Sequence, residues 1–185
     1  MKRYLSWFCA LSLLILSACV PAPAEEPAPP ETEGPIELES LAVELRRDGV
    51  SAQDLARAAR ELPELLKAAL ADQGVEAGTV TVSVGSSPAA AVQAVSEGGV
   101  DLAFLPEAEL AVLEEAPRRL LSAAPASGEA PDAMAVIVRP DDETLSGEAF
   151  AAALAAAVNG LREEQTVFGP YDYAWAGPEE GAAGA

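Results

Sequence analysis

A chain of 185 residues with 11 basic and 30 acidic side chains has a formal charge of −19. So acidic a surface repels nucleic acid, which excludes it as a partner. Histidine is absent and the two cysteines, Cys9 and Cys19, sit near the start, so the commonest general base and zinc ligand are missing and the body forms no internal disulfide.

Half of the residues are apolar but only 5% are aromatic, so a single domain cored by Leu, Val and Ala is expected. The chain opens with Lys2-Arg3 and an apolar run from Tyr4 to Leu16. This is the pattern of a secretory signal over residues 1–18, too short for a membrane span. Leu16-Ser17-Ala18-Cys19 resembles the bacterial lipobox. That resemblance implies lipidation of Cys19 and a membrane anchor on the outer, extracytoplasmic face of the cytoplasmic membrane. Val20 to Pro35 then holds six prolines and four glutamates, so residues 19–35 read as a disordered tether reaching up to ~50 Å at ~3.1 Å per residue.

Regular patterning begins at Ile36 and fills 36–176. A first strand is expected around Leu41 to Leu45. Ser51 and Asp54 form a capping box, and Leu55, Ala58, Ala59, Leu62, Leu65, Leu66, Ala69 and Leu70 recur at helical spacing. Pro63 is expected to kink or split that helix, and Gly74 to close it. "TVTVSV", Thr79 to Val84, alternates as a strand. Ser87 caps the next helix with Pro88 at its first position, and Ala91, Val92 and Val95 form its narrow apolar face. Val100 to Phe104 reads as a strand, and Pro106 as the opening of a short helix through Glu115. "RRLLSAA" and "AMAVIVRP" read as two more strands. A last helix is expected with Ser146 as cap and Phe150, Leu154, Ala157 and Val158 inward. Residues 177–185 lack periodicity. Strands alternating with helices predict an α/β fold, three layers deep, with a mostly parallel sheet of about five strands.

The run "VTVSVGSSPAAAVQAVSEGGVDLAFLPEAEL", followed by "AVIVRPD", resembles the phosphonate-type substrate-binding proteins of ABC importers, within the type II periplasmic-binding-protein class. The shared elements are the strand Val80–Val84, Ser86-Ser87, the helix Ala89–Gly98, the strand Asp101–Phe104 and Pro106. The resemblance spans Leu41 to Asp141. It implies a lipoprotein that binds a small anionic solute such as phosphate or a phosphonate and delivers it to an ABC permease, without chemistry. Members carry two lobes. Here "VFGPYDYAWAGPEE", which resembles their closing segment, follows almost directly, so a single lobe is expected.

Ligands of open α/β sheets collect beyond the carboxyl ends of the strands. Ser86-Ser87 and Leu105-Pro106 are expected there, with two helix N-termini converging on one spot. Ser87 serves equally as a plain helix cap. Glu107 would repel an anion and suit an amine. Arg47, after the first strand, could reach the same edge. The candidate ligand set is thus Ser86, Ser87, Leu105, Pro106, Glu107 and Arg47. Asp101 reads as a turn-closing carboxylate, and Tyr171, Tyr173 and Trp175 as packing of the closing segment. No catalytic constellation, cofactor motif or metal spacing is found, so no enzymatic activity is expected. The alternative function is a non-transporting envelope lipoprotein whose lobe docks a partner protein or forms a homodimer.

Overall fold

Alternating apolar and polar residues carry the chain through β1 (Ile36–Leu45) and, after a helix, β2 (Val75–Val84); the two pair in parallel from Ile36↔Val75 to Leu45↔Val84. The computed structural model describes residues 34–45, 50–110, 118–126, 133–139 and 141–177. The leader, Cys19, the proline-rich tether up to residue 33, Arg47 and the tail from 178 lie outside them.

Both strands begin well before the expected Leu41 and Thr79. Burial alternation slips by one residue at Glu39-Ser40 and at Gly78-Thr79, and the ladder omits the facing pair Glu39 and Gly78. Because the slip occurs at the same level in both strands, pairing survives it. A period-two reading stops there. Gly78 is suited to the site because a Cβ would lie 2.6 Å from the Glu39 carbonyl oxygen.

The connecting helix α1 (Ala52–Ala71) starts at Ser51, whose Oγ accepts the Asp54 N–H at 3.1 Å and donates to its carboxylate at 2.6 Å. It is one helix. Of the kink or split expected at Pro63, the split does not occur, although an interior proline costs ~3 kcal/mol. Leu55, Ala58, Leu62, Leu66 and Leu70, on both sides of Pro63, are buried on one stripe, and each leucine contributes ~1.5–3 kcal/mol of burial. Packing therefore outweighs the lost ladder bond. Gly74 (φ +80°) turns the chain into β2, and its carbonyl accepts the Ile36 N–H at 2.9 Å.

α2 (Pro88–Ser96) follows, with Ala91, Val92 and Val95 buried. Then come β3 (Leu102–Pro106), α3 (Glu107–Leu110), β4 (Arg118–Pro125), β5 (Met134–Val138), α4 (Glu148–Leu161) and β6 (Tyr171–Trp175). Ser146 is not the cap of α4; Gly147 is. An Asp142 turn claims the preceding residues: Asp142 Oδ1 accepts the Leu145 N–H, and its carbonyl accepts the Ser146 N–H, both at 2.9 Å.

The class is α/β, and the sheet corrects the expectation in two respects. It has six strands in the order β2-β1-β3-β5-β4-β6, and it is mixed. β2, β1 and β3 are parallel, while the pairings β3–β5, β4–β5 and β4–β6 are antiparallel. Adjacent parallel strands need a crossover of a dozen or more residues. The stretch from Ala126 to Ala133 is too short to supply one, so β4 and β5 run antiparallel. The closing segment supplies the sixth strand.

Alternation along β3 and β5 divides the core. Leu102, Phe104, Met134, Val136 and Val138 face α1 and α4. Ala103, Leu105, Ala135 and Ile137 face α2 and α3. On the α1 side Phe104 meets Phe168 in a tilted pair, centroids 5.4 Å apart, and Tyr173 edge to face at 5.8 Å. Within the described residues no helix is long and apolar enough to cross a membrane.

Candidate functional site

At the carboxyl edge of the parallel strands, β2 ends at Val84 and the chain passes through Gly85, Ser86 and Ser87 into α2. The Gly85 N–H extends the ladder, donating to the Leu45 carbonyl at 3.0 Å. Ser87 is extended (φ −160°, ψ 160°), and its Oγ accepts the Ala90 N–H at 3.2 Å. Ser87 is thus a working cap, with Pro88 in the first turn where its missing N–H costs nothing. Ser86 precedes the cap, is exposed, and plays no part in it.

Beside this join stands a group that sequence reasoning missed. Glu44 lies on the same face of β1 as Ala42, which packs against the α2 cluster, and it sits between Ser83 of β2 and Ala103 of β3. Its carboxylate rests against Gly85; a Cβ there would collide with Glu44 Oε1. That oxygen is buried without a hydrogen-bond partner. Burial pushes the Glu44 carboxyl above the ordinary glutamate range, because desolvation disfavours the charged form. No local signal could have revealed this contact, since it depends on the β1–β2 register.

The second expected join does not meet the first. Pro106 does not open a helix: it is the last residue of β3, paired with Met134 of β5. Since Val43 pairs with Leu102, the strand overruns the level of Leu45 by two residues. β1 lies between β2 and β3, so the two strands run ~10 Å apart, two strand spacings, and the overrun of β3 separates their ends further. Leu105 is buried in the α2-side core at 1% exposure, out of reach of any solute. Glu107 turns toward the β4–β5 half of the sheet, away from β2: its N–H donates to the Ala133 carbonyl at 2.8 Å, and its carboxylate pairs with Arg119 of β4 at 2.8 Å. The described part of α3 is a single turn, Glu107–Leu110. One helix start, that of α2, therefore remains at this edge, and Arg47 lies outside the described residues.

The opposite end of β3 holds a polar staple. The Asp101 N–H donates to the Ala42 carbonyl at 2.8 Å, and its Oδ2 accepts the Ala42 N–H at 2.8 Å. Its Oδ1 pairs with Arg139 at 2.9 Å, and Arg139 also reaches Asp142 at 3.6 Å. A side chain thus completes the ladder where β3 has not yet begun, which delays the strand start to Leu102. This carboxylate works for the fold.

A groove of about 520 Å³ opens at the amino end of β1 and β2, lined by Glu37, Leu38, Lys67, Ala71, Glu76, Ala77 and Gly78. It lies at the far end of β2 from Ser86, and Lys67 Nζ is spent on the Gly78 carbonyl at 2.6 Å. Tyr171 and Tyr173 are buried, the Tyr173 hydroxyl donating to the Phe168 carbonyl at 2.9 Å; they pack the closing segment. No protein-family model, no curated protein and no solved structure matches this chain.

Proposed function

We propose that the protein is a lipid-anchored solute-binding protein of an ABC importer of the phosphate/phosphonate type, holding a small solute at the start of α2 for delivery to a permease. The observation that carries this reading is the join Gly85-Ser86-Ser87. It sets a capped helix N-terminus at the carboxyl edge of three parallel strands, where the partial positive charge of the helix favours an acidic oxygen. With Pro88 lacking an N–H and those of Ala90 and Ala91 held by Ser87, the Ala89 N–H is the first-turn donor left for it. Helices on both faces of the sheet give the arrangement of one lobe of such a protein. The leader, the lipobox-like Cys19 and the tether support an extracytoplasmic location.

Glu44 refines the solute. An ionised Glu44 repels a bare oxyanion at Ser86 and attracts an amine, so a small zwitterion with an acidic oxygen group beside an amine suits the edge better than phosphate. Titration calorimetry of the folded chain with inorganic phosphate, methylphosphonate and an aminoalkylphosphonate tests this. Heat is expected to be largest with the aminophosphonate and to fall in Ser86→Ala. Absence of heat with all three probes overturns the reading.

A further inference from the structure

The Gly85 N–H points at β1, where it meets the Leu45 carbonyl. Backbone groups alternate sides along a strand, so those of Ser83 and Thr81 also face β1. Those of Val80, Val82 and Val84 face outward. β2 is the end strand of the sheet, and among the described residues nothing pairs with that outward row. Beyond that row, among the described residues, the Gly78 carbonyl is held by Lys67. A bare row of N–H and C=O groups accepts another extended strand.

We infer that this edge pairs antiparallel with the same edge of a second copy of the chain, about a twofold axis at Val82. The window from Val80 to Val84 contains no ionisable residue, so two copies meet there without like charges. The axis sets Val82 opposite its own copy and Val80 opposite Val84, and it keeps the two α1 faces on one side. Val84, at 37% exposure, is the one large apolar side chain left exposed among the described residues, and it gains an apolar neighbour. Thr81 falls opposite Ser83 on the other face. Such β-branched and hydroxyl cross-strand pairs are favourable. A parallel copy would instead align Glu76 with Glu76. The burial slip and Lys67 bound the window at Gly78, and the turn into Ser86 bounds it at the other end.

A strand pairing this short buries less than the ~1,000 Å² of a stable interface, so the dimer is weak and reversible. Each copy carries a charge of −19, so association must strengthen as salt screens the repulsion. The inference rests on β2 alone and stands or falls independently of the solute. Sedimentation of the full chain over a range of concentrations, at low and high sodium chloride, tests it. The expected result is a shift from 19.0 kDa toward twice that mass and no further, several-fold tighter in high salt. Val82→Lys and, separately, the more exposed Val84→Lys should each weaken it at least tenfold with an unchanged melting curve. If Val82→Lys perturbs folding, Val84→Lys decides. A monomer under all conditions, association that continues past a dimer, or a dimer untouched in a folded Val84→Lys chain overturns the proposal.

Discussion

At the β6 end of the sheet, α4 supplies the hydrogen-bonding partners that a neighbouring strand would otherwise provide. Asn159 accepts the Tyr173 N–H and donates to its carbonyl, each at 2.9 Å, and Arg162 donates to the Tyr171 carbonyl at 3.1 Å while pairing with Asp172. At the β2 end, α1 lies over the same face of the sheet, but among the described residues only Lys67 reaches round to the strand, to a single carbonyl. The two edges belong to one sheet and border one core, yet one is closed by side chains and the other is open. Edge strands are ordinarily guarded, and among the described residues the two edges differ in how far they are covered. Asp101 uses the same device as Asn159, placing a side chain on Ala42 where a strand is lacking, and among the described residues β2 receives this covering only at the Gly78 carbonyl.

The largest expected effect comes from opening the closed edge. Asn159→Ala removes two hydrogen bonds to half-buried backbone, each worth roughly 1 kcal/mol with a further penalty for leaving a buried group unmet. Stability measured by urea unfolding should fall by about 2 kcal/mol, and faster amide exchange at Tyr173 should accompany it. A loss below about 0.5 kcal/mol, within the range of ordinary surface substitutions, would mean that β6 is held by its pairing with β4 alone and that the two edges are not distinguished by their covering.

How much of this was legible in the sequence follows from how local each feature is. α1, α2 and α4 were legible because their apolar residues repeat within the helix itself, and Ser51, Ser87 and Gly74 because caps act over a few residues. Strand limits and partners were not. The matched slip at Glu39 and Gly78 hides the first half of both β1 and β2 from a period-two reading. The Asp101 staple takes the place of the first ladder residues of β3, and pairing with Met134 of β5 draws Pro106 into the sheet, neither of which a local pattern records. "YDYAW" became the sixth strand because β4 offers it an edge and Asn159 fixes it there. At the candidate site the Ser87 cap was readable, whereas the contact of Glu44 with Gly85 exists only once β1 and β2 are in register.

Glu44 tests a smaller difference, between the carboxyl edge of the parallel strands and the polar staple at the other end of β3. Asp101 is matched by hydrogen bonds, whereas Glu44 has a buried oxygen with none. Its folded pKa is raised by desolvation, so the stability it contributes is present below the ordinary glutamate pKa and is lost as pH rises through the raised value. Glu44→Gln removes that dependence. Its urea midpoint should match the parent near about pH 4 and exceed it near about pH 7, above the ordinary glutamate pKa of about 4.3, where unfolding the parent releases the proton that burial favours. A variant less stable than the parent at neutral pH would show that the carboxylate is held by favourable contacts, and would remove the reason for preferring an amine at this edge.

The smallest change in stability, and the sharpest probe of the open edge, is Lys67→Ala. Its ammonium donates to one exposed carbonyl, so losing it should cost about 0.5 kcal/mol or less, as for weak surface interactions. What it should change is association. With the Gly78 carbonyl uncovered, the outward row gains an acceptor next to Val80 at the end of the pairing window. The variant also loses a positive charge on an already acidic chain, which by itself opposes self-association. The two consequences separate with ionic strength. In low salt the variant should associate no better than the parent. In high salt, where the charge is screened, it should associate more tightly, by a factor of a few in sedimentation. Equal association in high salt would limit the edge to Val80–Val84, with Lys67 guarding nothing that a partner strand uses. Weaker association there would make Lys67 a contact within the dimer and move the pairing toward the amino half of β2.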